Sequence, residues 1–248
     1  MQSAIPGNLT TEEVAFYGDH GYLLPRRQVL APDRFAQLVS IFEEHLADKG
    51  DKLSDELDTP HFRDPRLLGF LLADEVLDLI EPLIGPDIAL WSSHFLSKDP
   101  FSGKPTPWHE DSAYWEGRLS AYDRIVTMWL ALDRSSHENG CVRVIPGTHR
   151  NGFSEYEATG RERLFTKQIT GEIDEANAVD FELEPGQCSL HDGRIIHGAR
   201  ANTSPHRRTG YAMRYFSATI RMIPEANPGH RIWLARGRDL AGNAYETS

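Results

Sequence analysis

Cysteine is scarce in this sequence, which has two cysteines among 248 residues. Cys141 and Cys188 stand far apart, so the chain has no framework of disulfide bridges, and such usage is typical of a reducing compartment. Long apolar runs are missing as well, since none reaches the ~20 residues that a membrane-spanning helix needs. The chain does not open with a basic segment followed by an apolar run. We therefore expect no signal peptide and a cytoplasmic location.

Positive charge is also in short supply. Lysine and arginine number 26 against 37 aspartates and glutamates, which gives a formal net charge of −11. A nucleic-acid-binding protein gains affinity from basic residues that neutralise phosphates, so this balance argues against that class. The late basic clusters, HRRTGYAMRYF and RIWLARGR, are small enough to suit a small anionic ligand. We expect a small-molecule substrate and no nucleic-acid or membrane partner.

The chain has a helical pattern in its first part and a strand pattern after it. We interpret the two parts together as one domain spanning residues 1–248. Up to about residue 87 the pattern is helical, with a capping box at Thr10 and Glu13 and a helix end at Gly21. One amphipathic segment places five apolar residues on one helical face: Phe35, Leu38, Val39, Phe42 and Leu46. From about 88 to 222, short segments rich in β-branched and aromatic residues alternate with turn formers. This pattern predicts a sandwich or barrel with a helical layer in front.

The segment PWHEDSAYW, residues 107–115, contains the first candidate site residues. Side chains alternate between faces on an extended chain, so His109 and Asp111 share a face and Glu110 points to the other. We expect Glu110 to meet solvent or a neighbouring strand. The shared face can bind a metal ion, and the alternative is an ordinary hydrogen-bonded pair on a surface strand.

Candidates for a third metal ligand lie in the segment SLHDGRIIHGARANTSPHRRTGYAMRYF. An Asp-Gly turn separates His191, at the end of one strand, from His197, in or after the next. Arg207 and Arg208 follow, and an arginine can bind a planar carboxylate through two parallel hydrogen bonds. Two histidines and one carboxylate on an iron ion leave three positions for a cosubstrate and oxygen. The residues thus favour a metal site, while the purely structural alternative stays open.

Four segments, in order, resemble the phytanoyl-CoA dioxygenase (PhyH) family of iron(II)- and 2-oxoglutarate-dependent oxygenases. They are LTTEEVAFYGDHGYLL, SKDPFSGKPTPWHED, TMWLALDRSSHENGCVRVIPGTH and EPGQCSLHDGRIIHGARANTSPHRR. The resemblance implies a mainly β fold, a double-stranded β-helix (jelly roll) with an N-terminal helical layer packed on the major sheet. It also implies an enzyme that uses Fe(II), 2-oxoglutarate and O2, hydroxylates a C–H bond of a small metabolite, and releases succinate and CO2.

Carried over by position, the resemblance implies three iron ligands: His109, Asp111 and His197. His191 ranks second to His197 as a ligand. The family arginine stands eleven residues after the distal histidine, which makes it Arg208 rather than Arg207. Strand alternation supports this choice, because Arg208 then shares a face with Gly210, Ala212 and Arg214.

By the resemblance, Trp129 matches a tryptophan that lies near 2-oxoglutarate in the family, and Thr127 faces the same way two residues earlier on the strand. We expect both to bind the cosubstrate, with core packing of a central strand as the alternative. Ala199 stands where better-known members often have a serine that helps to hold the cosubstrate carboxylate. We expect another donor, Thr127 or a tyrosine, to assist Arg208 instead. Three further residues are predicted to line the substrate pocket, with core packing again as the alternative: His94, Tyr114 and Trp115.

The polar stretch of residues 150–178 exceeds the length of an ordinary connection, and such loops are usually functional or disordered. It follows the family signature directly, so we interpret it as a mobile lid at the mouth of the barrel. Arg161, Arg163 and Lys167 are its candidates to meet an acidic substrate, and a solvated surface is the alternative for each.

The same residues argue against three alternative functions. A halogenase of the same family replaces the carboxylate ligand by a small residue, so Asp111 argues against it. A cupin-like metal-binding module normally has two histidines close together on its first metal-binding strand, and HED has one. The intact ligand set and Arg208 argue against a catalytically inactive binding module. Desaturation, epoxidation and cyclisation stay open as reactions, and natural-product biosynthesis is the expected setting. The oligomeric state stays open, with a homodimer as one option.

Overall fold

The computed structural model describes residues 8–160 and 165–247. Its α-helices in these ranges are α1 (Thr11–His20), α2 (Pro32–Ala47), α3 (Leu68–Leu71) and α4 (Asp74–Ile84). Short 3-10 turns lie at Pro60–Phe62, Pro65–Leu67, Asp111–Trp115, Thr148–Arg150, Glu175–Asn177 and Pro224–Ala226. None of the helices in the described ranges is long and apolar enough to cross a lipid bilayer.

The strands in the described ranges differ widely in length, from the 2 residues of β1 to the 11 residues of β3. They are β1 (Tyr22–Leu23), β2 (Leu57–Asp58), β3 (Ile88–Lys98), β4 (Thr106–His109), β5 (Ile125–Ala131), β6 (Val142–Val144), β7 (Tyr156–Ala158), β8 (Lys167–Ile169), β9 (Val179–Asp180), β10 (Cys188–Asp192), β11 (His197–Ala199), β12 (Arg208–Ser217) and β13 (Trp233–Arg236).

The strands pair antiparallel into two facing sheets and one hairpin. The major sheet has the order β1-β10-β5-β12-β3-β13, and β2 pairs with β3 beside it. The minor sheet has the order β4-β11-β6-β9, and β7 pairs with β8. This arrangement is the expected double-stranded β-helix. Its major sheet extends beyond the predicted range of 88–222, because β1, β2 and β13 also pair into it.

The helices cover the outer face of the major sheet, as predicted. The capping box of α1 forms with both of its bonds, and Gly21 ends the helix with a φ of 77°. Leu38 and Phe42 of α2 are fully buried, and the other three residues of the predicted apolar face pack against the same core. The helical layer therefore stabilises the sheet from outside and leaves its inner face for the site.

Alternation along β12 separates the two environments. Tyr211, Met213 and Tyr215 belong to the core under the helices, whereas Ala212 belongs to the apolar cluster between the sheets. Side chains at every second position share a face, so Arg208, Gly210 and Arg214 lie on the same inner face as Ala212. The strand thus places two arginines inside the barrel.

Candidate metal centre and its pockets

The three predicted metal ligands meet between the two sheets. His109 on β4 and His197 on β11 are directly paired in the minor sheet, and their ring centroids lie 4.1 Å apart. Asp111 begins the 3-10 turn that follows β4, and its Oδ1 lies 3.9 Å from Nε2 of each histidine. All three side chains are buried, and their ligand atoms lie within 4.8 Å of one another. Such a set of two imidazoles and one carboxylate suits a divalent transition metal.

Backbone carbonyls determine which ring nitrogens face the site. Nδ1 of His109 lies 2.8 Å from the carbonyl oxygen of Pro107, and Nδ1 of His197 lies 3.0 Å from that of Ile195. A carbonyl oxygen only accepts, so each Nδ1 carries the hydrogen and each Nε2 presents a lone pair. Burial, with the nearby His197, lowers the pKa of His109 to about 3. The imidazole of His109 is therefore neutral and ready to bind a metal at neutral pH.

The carboxylate of Asp111 is oriented by two residues of the major sheet. Thr127 Oγ1 donates to Oδ2 at 2.7 Å, and Arg214 Nε lies 3.2 Å from the same oxygen. Burial alone would raise the pKa of Asp111, but the Arg214 guanidinium and the neighbouring histidines outweigh burial and lower the pKa. Asp111 is therefore an anion whose Oδ1 faces the two Nε2 atoms. Strand alternation predicted the face of Arg214 but not its contact with Asp111.

His191 lies beside the ligand set without joining it. Its Nε2 is 3.9 Å from Asp111 Oδ2, its ring centroid is 4.7 Å from that of His197, and it pairs with Thr127 across β10 and β5. Burial, with the nearby His197, lowers the pKa of His191 well below the ordinary value. Both ring nitrogens are buried and lack a hydrogen-bond partner within the described residues. His191 is thus a neutral wall of the site.

A narrow cavity of about 50 Å³ is lined both by the metal ligands and by Arg208. Arg208 is 3% exposed, and its Nε has no hydrogen-bond partner among the described residues. Burial lowers the pKa of Arg208 to about 10, so the guanidinium remains charged at neutral pH. An unpaired buried cation is costly without an anion. This end of the cavity therefore fits the carboxylate of a ligand.

Trp129 stacks beside Arg208 because Gly210 leaves room for it. The guanidinium carbon lies 5.2 Å from the indole ring centre, and a Cβ on Gly210 would come 1.9 Å from Cζ2 of that ring. The indole Nε1 is buried and also lacks a partner in the part of the chain that is described. Trp129 belongs at the same time to the apolar cluster between the sheets. The indole ring of Trp129 thus packs in the core between the sheets, and its N–H is available as a donor to a ligand.

Arg207 points to the opposite face of the sheet. Its Nε lies 2.8 Å from Asp133 Oδ2, and its Nη2 lies 2.6 Å from Glu43 Oε1 on α2. This is the alternation that the sequence predicted for the two adjacent arginines. Arg207 ties the strand to the helical layer, and Arg208 faces the cavity.

Lys98 is a cavity residue that the sequence analysis missed. It is directly paired with Arg208 across β3 and β12 and lines the same narrow cavity, as does Ala199. Its Nζ donates to the carbonyl oxygen of Arg200 at 2.8 Å and to that of Lys104. Residues directly opposite in adjacent strands share a face, so Lys98 adds a second positive charge at this end. Thr127, by contrast, uses its hydroxyl hydrogen on Asp111.

A second, wider cavity of about 400 Å³ lies on the other side of the metal ligands. His109, Asp111 and Arg214 line it, which connects it to the metal centre. The three residues predicted for a substrate pocket all line this cavity: His94, Tyr114 and Trp115. Several wall residues that the sequence analysis did not identify come from distant segments: Phe62, Trp91, Arg118 and His230.

The stretch predicted as a lid contains regular structure over the site. Strands β7 and β8 form a hairpin, and Phe165 beside β8 places its ring centre 5.0 Å from that of His109. Lys167 donates to the carbonyl oxygen of Ala113 at 2.6 Å and accepts at its own carbonyl from Tyr114 at 2.8 Å. Lys167 therefore ties the hairpin to the turn after β4. Arg161 and Arg163 lie outside the described residues.

Glu110 holds the base of this hairpin, so that of its two expected environments, solvent or a neighbouring strand, the second is observed. It is 1% exposed and accepts hydrogen bonds from Ser154 Oγ at 2.7 Å, from the Ser154 amide at 3.1 Å and from the Tyr156 hydroxyl. The neighbouring strand is β7, which begins at Tyr156. Glu110, which lies between β4 and the 3-10 turn of Asp111, therefore attaches the hairpin that covers His109.

The comparison with known families matches residues 17–210 to the model described as Phytanoyl-CoA dioxygenase (PhyH). Peroxisomal phytanoyl-CoA dioxygenase from Homo sapiens is 30% identical over 166 residues, which cover 64% of this chain and 48% of the human protein. A probable phytanoyl-CoA dioxygenase from Caenorhabditis elegans is 28% identical over 238 residues, which cover 84% of this chain and 75% of the nematode protein. The chain thus spans about half the length of the human relative.

Among solved structures, this chain is similar in fold and in part of its sequence to a carbocyclase from nogalamycin biosynthesis. The non-heme alpha ketoglutarate dependent carbocyclase SnoK from nogalamycin biosynthesis has a TM-score of 0.71 to this chain at 25% sequence identity. The match covers 92% of each chain. The double-stranded β-helix and its helical layer are therefore common to both proteins.

Proposed function

This chain belongs to the phytanoyl-CoA dioxygenase family, and we propose that it is a non-haem Fe(II)- and 2-oxoglutarate-dependent dioxygenase that hydroxylates a small metabolite. One observation carries the proposal: the buried His109, Asp111 and His197 set and the unpaired Arg208 line one interior cavity. Iron bound there would couple oxidative decarboxylation of 2-oxoglutarate to oxidation of a C–H bond by O2.

The three ligands fit iron in both charge and orientation. The two Nε2 lone pairs are fixed by the carbonyl contacts of Nδ1, and Asp111 contributes one negative charge. Iron held by these three residues would have positions left for a cosubstrate and oxygen. Asp111 also supports an oxygenase over a halogenase, which would need an open position in place of this carboxylate.

The cosubstrate would extend from the metal ligands to the far end of the narrow cavity. Arg208 offers the charged group there, Lys98 adds a second positive charge, and Trp129 adds an indole N–H. A carboxylate at this position satisfies Arg208 Nε and Trp129 Nε1, which are otherwise buried without hydrogen-bond partners among the described residues. Lys98 is thereby proposed to take the place of the serine that Ala199 replaces.

The remaining residues exclude water and present the substrate. Phe165 and the β7–β8 hairpin cover His109, and the wide cavity opens beside Asp111. Excluding water protects a strongly oxidising centre from side reactions and strengthens every charged contact inside it. Desaturation, epoxidation and cyclisation need the same protein groups and stay as alternative outcomes of the same proposal.

The experiment measures 2-oxoglutarate turnover directly. Protein loaded with Fe(II) is mixed with 2-oxoglutarate and O2, and succinate is quantified for wild type, His197→Ala and Arg207→Ala. We expect succinate from wild type and Arg207→Ala and none from His197→Ala. The proposal fails if the iron-loaded wild type forms no succinate and shows no visible charge-transfer band with 2-oxoglutarate under anaerobic conditions.

The cellular setting is part of the proposal too. Cys141 and Cys188 are buried free thiols whose pKa burial raises to about 12, which fits a reducing compartment such as the cytoplasm. A homodimer also stays a prediction, and light scattering on the purified chain tests it.

A further inference from the structure

The wide cavity beside the metal centre has an aromatic wall. Five rings line it: Phe62, Trp91, Tyr114, Trp115 and Phe165. The ring centres of Trp91 and Trp115 lie 5.9 Å apart, and those of Trp91 and His230 lie 4.1 Å apart. A cavity of about 400 Å³ with such walls accommodates the apolar body of a metabolite.

Arg118 supplies the charge in this apolar setting. It is partly buried, its Nε donates to Asn227 Oδ1 at 2.7 Å, and its guanidinium carbon lies 4.9 Å from the Trp91 ring centre. Asn227 Nδ2 donates in return to the Arg118 carbonyl oxygen at 2.9 Å, so the side chain is held from two sides. No hydrogen bond or ion pair occupies its two terminal amino groups within residues 8–160 and 165–247. A held guanidinium with two amino groups to spare is prepared to bind an anion.

The other polar groups of the cavity do not replace Arg118. Arg214 is committed to Asp111, and His230 donates its Nε2 hydrogen to the Trp91 carbonyl oxygen at 3.0 Å. Burial, with the nearby Arg118, lowers the pKa of His230 to about 4, so this imidazole is neutral. Asp58 is the carboxylate that lines the cavity away from the metal ligands, and its side chain is 62% exposed. Solvent screens an exposed charge far more than a partly buried one, so the exposed Asp58 carboxylate repels a bound anion less than the partly buried Arg118 attracts it.

We propose that the substrate is an organic acid with an apolar body, whose anionic group is bound by the terminal amino groups of Arg118. This inference rests on the proposed function, because the metal centre at the other end of the cavity is what oxidises the bound molecule. The aromatic walls hold the apolar body, and Arg118 determines which end of it points away from His109 and Asp111. Binding an acid at one end thereby selects the carbon that is presented for oxidation.

Binding by matched acids and amides tests the proposal. The probes are 3-phenylpropionate, indole-3-acetate and octanoate, each paired with its primary amide, and phenylphosphonate as a second acid class. Calorimetry is performed on protein loaded with Fe(II) and 2-oxoglutarate under anaerobic conditions, and again on metal-free protein. We expect at least one acid to bind about tenfold or more tightly than its amide. The comparison of 3-phenylpropionate with phenylphosphonate distinguishes carboxylate from phosphonate recognition.

Two variants and one control locate the effect. Arg118→Gln, which keeps an amide donor for Asn227, should weaken acid binding about tenfold and leave amide binding within about twofold. Arg118→Lys keeps the charge and should retain the preference for acids. The control is Arg124→Gln, which removes an exposed arginine that contacts Asp123 in the same connecting segment. It should change neither the affinity for acids nor the affinity for amides.

Two results overturn the inference. One is a wild type that binds no acid more tightly than its amide, and the other is an equal loss of acid and amide binding in Arg118→Gln. Failure of the proposed function has a different signature, since the protein would then bind no 2-oxoglutarate. If 2-oxoglutarate does not bind, the affinities of acids and amides can still be compared on the metal-free protein.

Discussion

The hydroxyl of Thr127 donates to Oδ2 of Asp111 at 2.7 Å, which leaves Oδ1 of this carboxylate facing the two histidine Nε2 atoms. Thr127 lies on β5 and is directly paired with Arg214 on β12, the second residue that contacts Asp111. The major sheet thus orients a ligand that the turn after β4 supplies. Such supporting contacts hold a ligand in place before the metal binds.

Thr127→Val should weaken iron binding roughly 10-fold to 100-fold, because the variant keeps the shape and loses the hydrogen bond that orients Asp111. Anaerobic Fe(II) titration of the metal-free protein measures this effect. Thr127→Ser retains the hydroxyl and serves as the matched control. Equal affinity in wild type and Thr127→Val would show that Asp111 is oriented by Arg214 alone.

Metal stoichiometry should separate His197 from His191. We expect one iron per chain in wild type, none in His197→Ala, and one in His191→Phe, because the His191 nitrogens lie outside the ligand cluster. Metal analysis after gel filtration gives the ratio. Loss of the metal in His191→Phe but not in His197→Ala would reverse the two assignments.

The two adjacent arginines should differ in their effect on 2-oxoglutarate. Arg208→Ala should weaken its binding by roughly 2–5 kcal/mol, the usual cost of losing one partner of a buried charged pair. Arg207→Ala loses contacts with Asp133 and Glu43 instead and should mainly lower thermal stability. Titration of the iron-loaded protein with 2-oxoglutarate measures the affinities. A larger loss of affinity in Arg207→Ala than in Arg208→Ala would contradict the observed strand register.

The β7–β8 hairpin should become better protected when the site is filled. Hydrogen exchange of residues 154–169 is compared with and without Fe(II) and 2-oxoglutarate, and we expect slower exchange in the filled state. Glu110→Gln removes a charged acceptor of Ser154 and Tyr156, so this variant should exchange faster in both states. Equal protection in the two states of wild type would leave the hairpin a fixed wall rather than a lid.

His61 should make stability depend on pH outside the metal centre. Burial lowers its pKa from 6.5 to about 3, and its Nδ1 lies 2.7 Å from Ser93 Oγ. Between these two pH values the unfolded chain binds a proton that the folded chain does not, so stability falls as pH falls. From pH 7.5 to 5, wild type should lose about 2 kcal/mol more than His61→Gln, at about 1.4 kcal/mol per unit below pH 6.5.

Denaturant unfolding at the two pH values, on metal-free protein, tests this difference. The exposed His206 provides the control variant, His206→Gln, which should keep the pH dependence of wild type. Parallel losses in wild type and His61→Gln would mean that His61 takes up no proton on unfolding in this range.

Local sequence patterns predicted most of the helices and strands and the opposite faces of the two adjacent arginines. The capping box, the apolar face of α2 and the alternation that turns Arg208 inward and Arg207 outward depend on neighbours a few residues apart. The order of four family segments added the jelly roll and the ligand set. The two-residue strand β2 was missed, because two residues are too few to show a period.

The tertiary structure decided what depends on register between strands far apart in the chain. Such contacts are Lys98 opposite Arg208, Thr127 and Arg214 on Asp111, and Arg118 beside Trp91. Their members are 16 or more residues apart in the sequence, and strand pairing and packing bring them together. Strand alternation predicts that the Glu110 side chain points away from His109 and Asp111. The same pattern would be seen whether that side chain met water or the hairpin. Residue order establishes which side of a strand a side chain occupies, and only the folded chain establishes what lies opposite it.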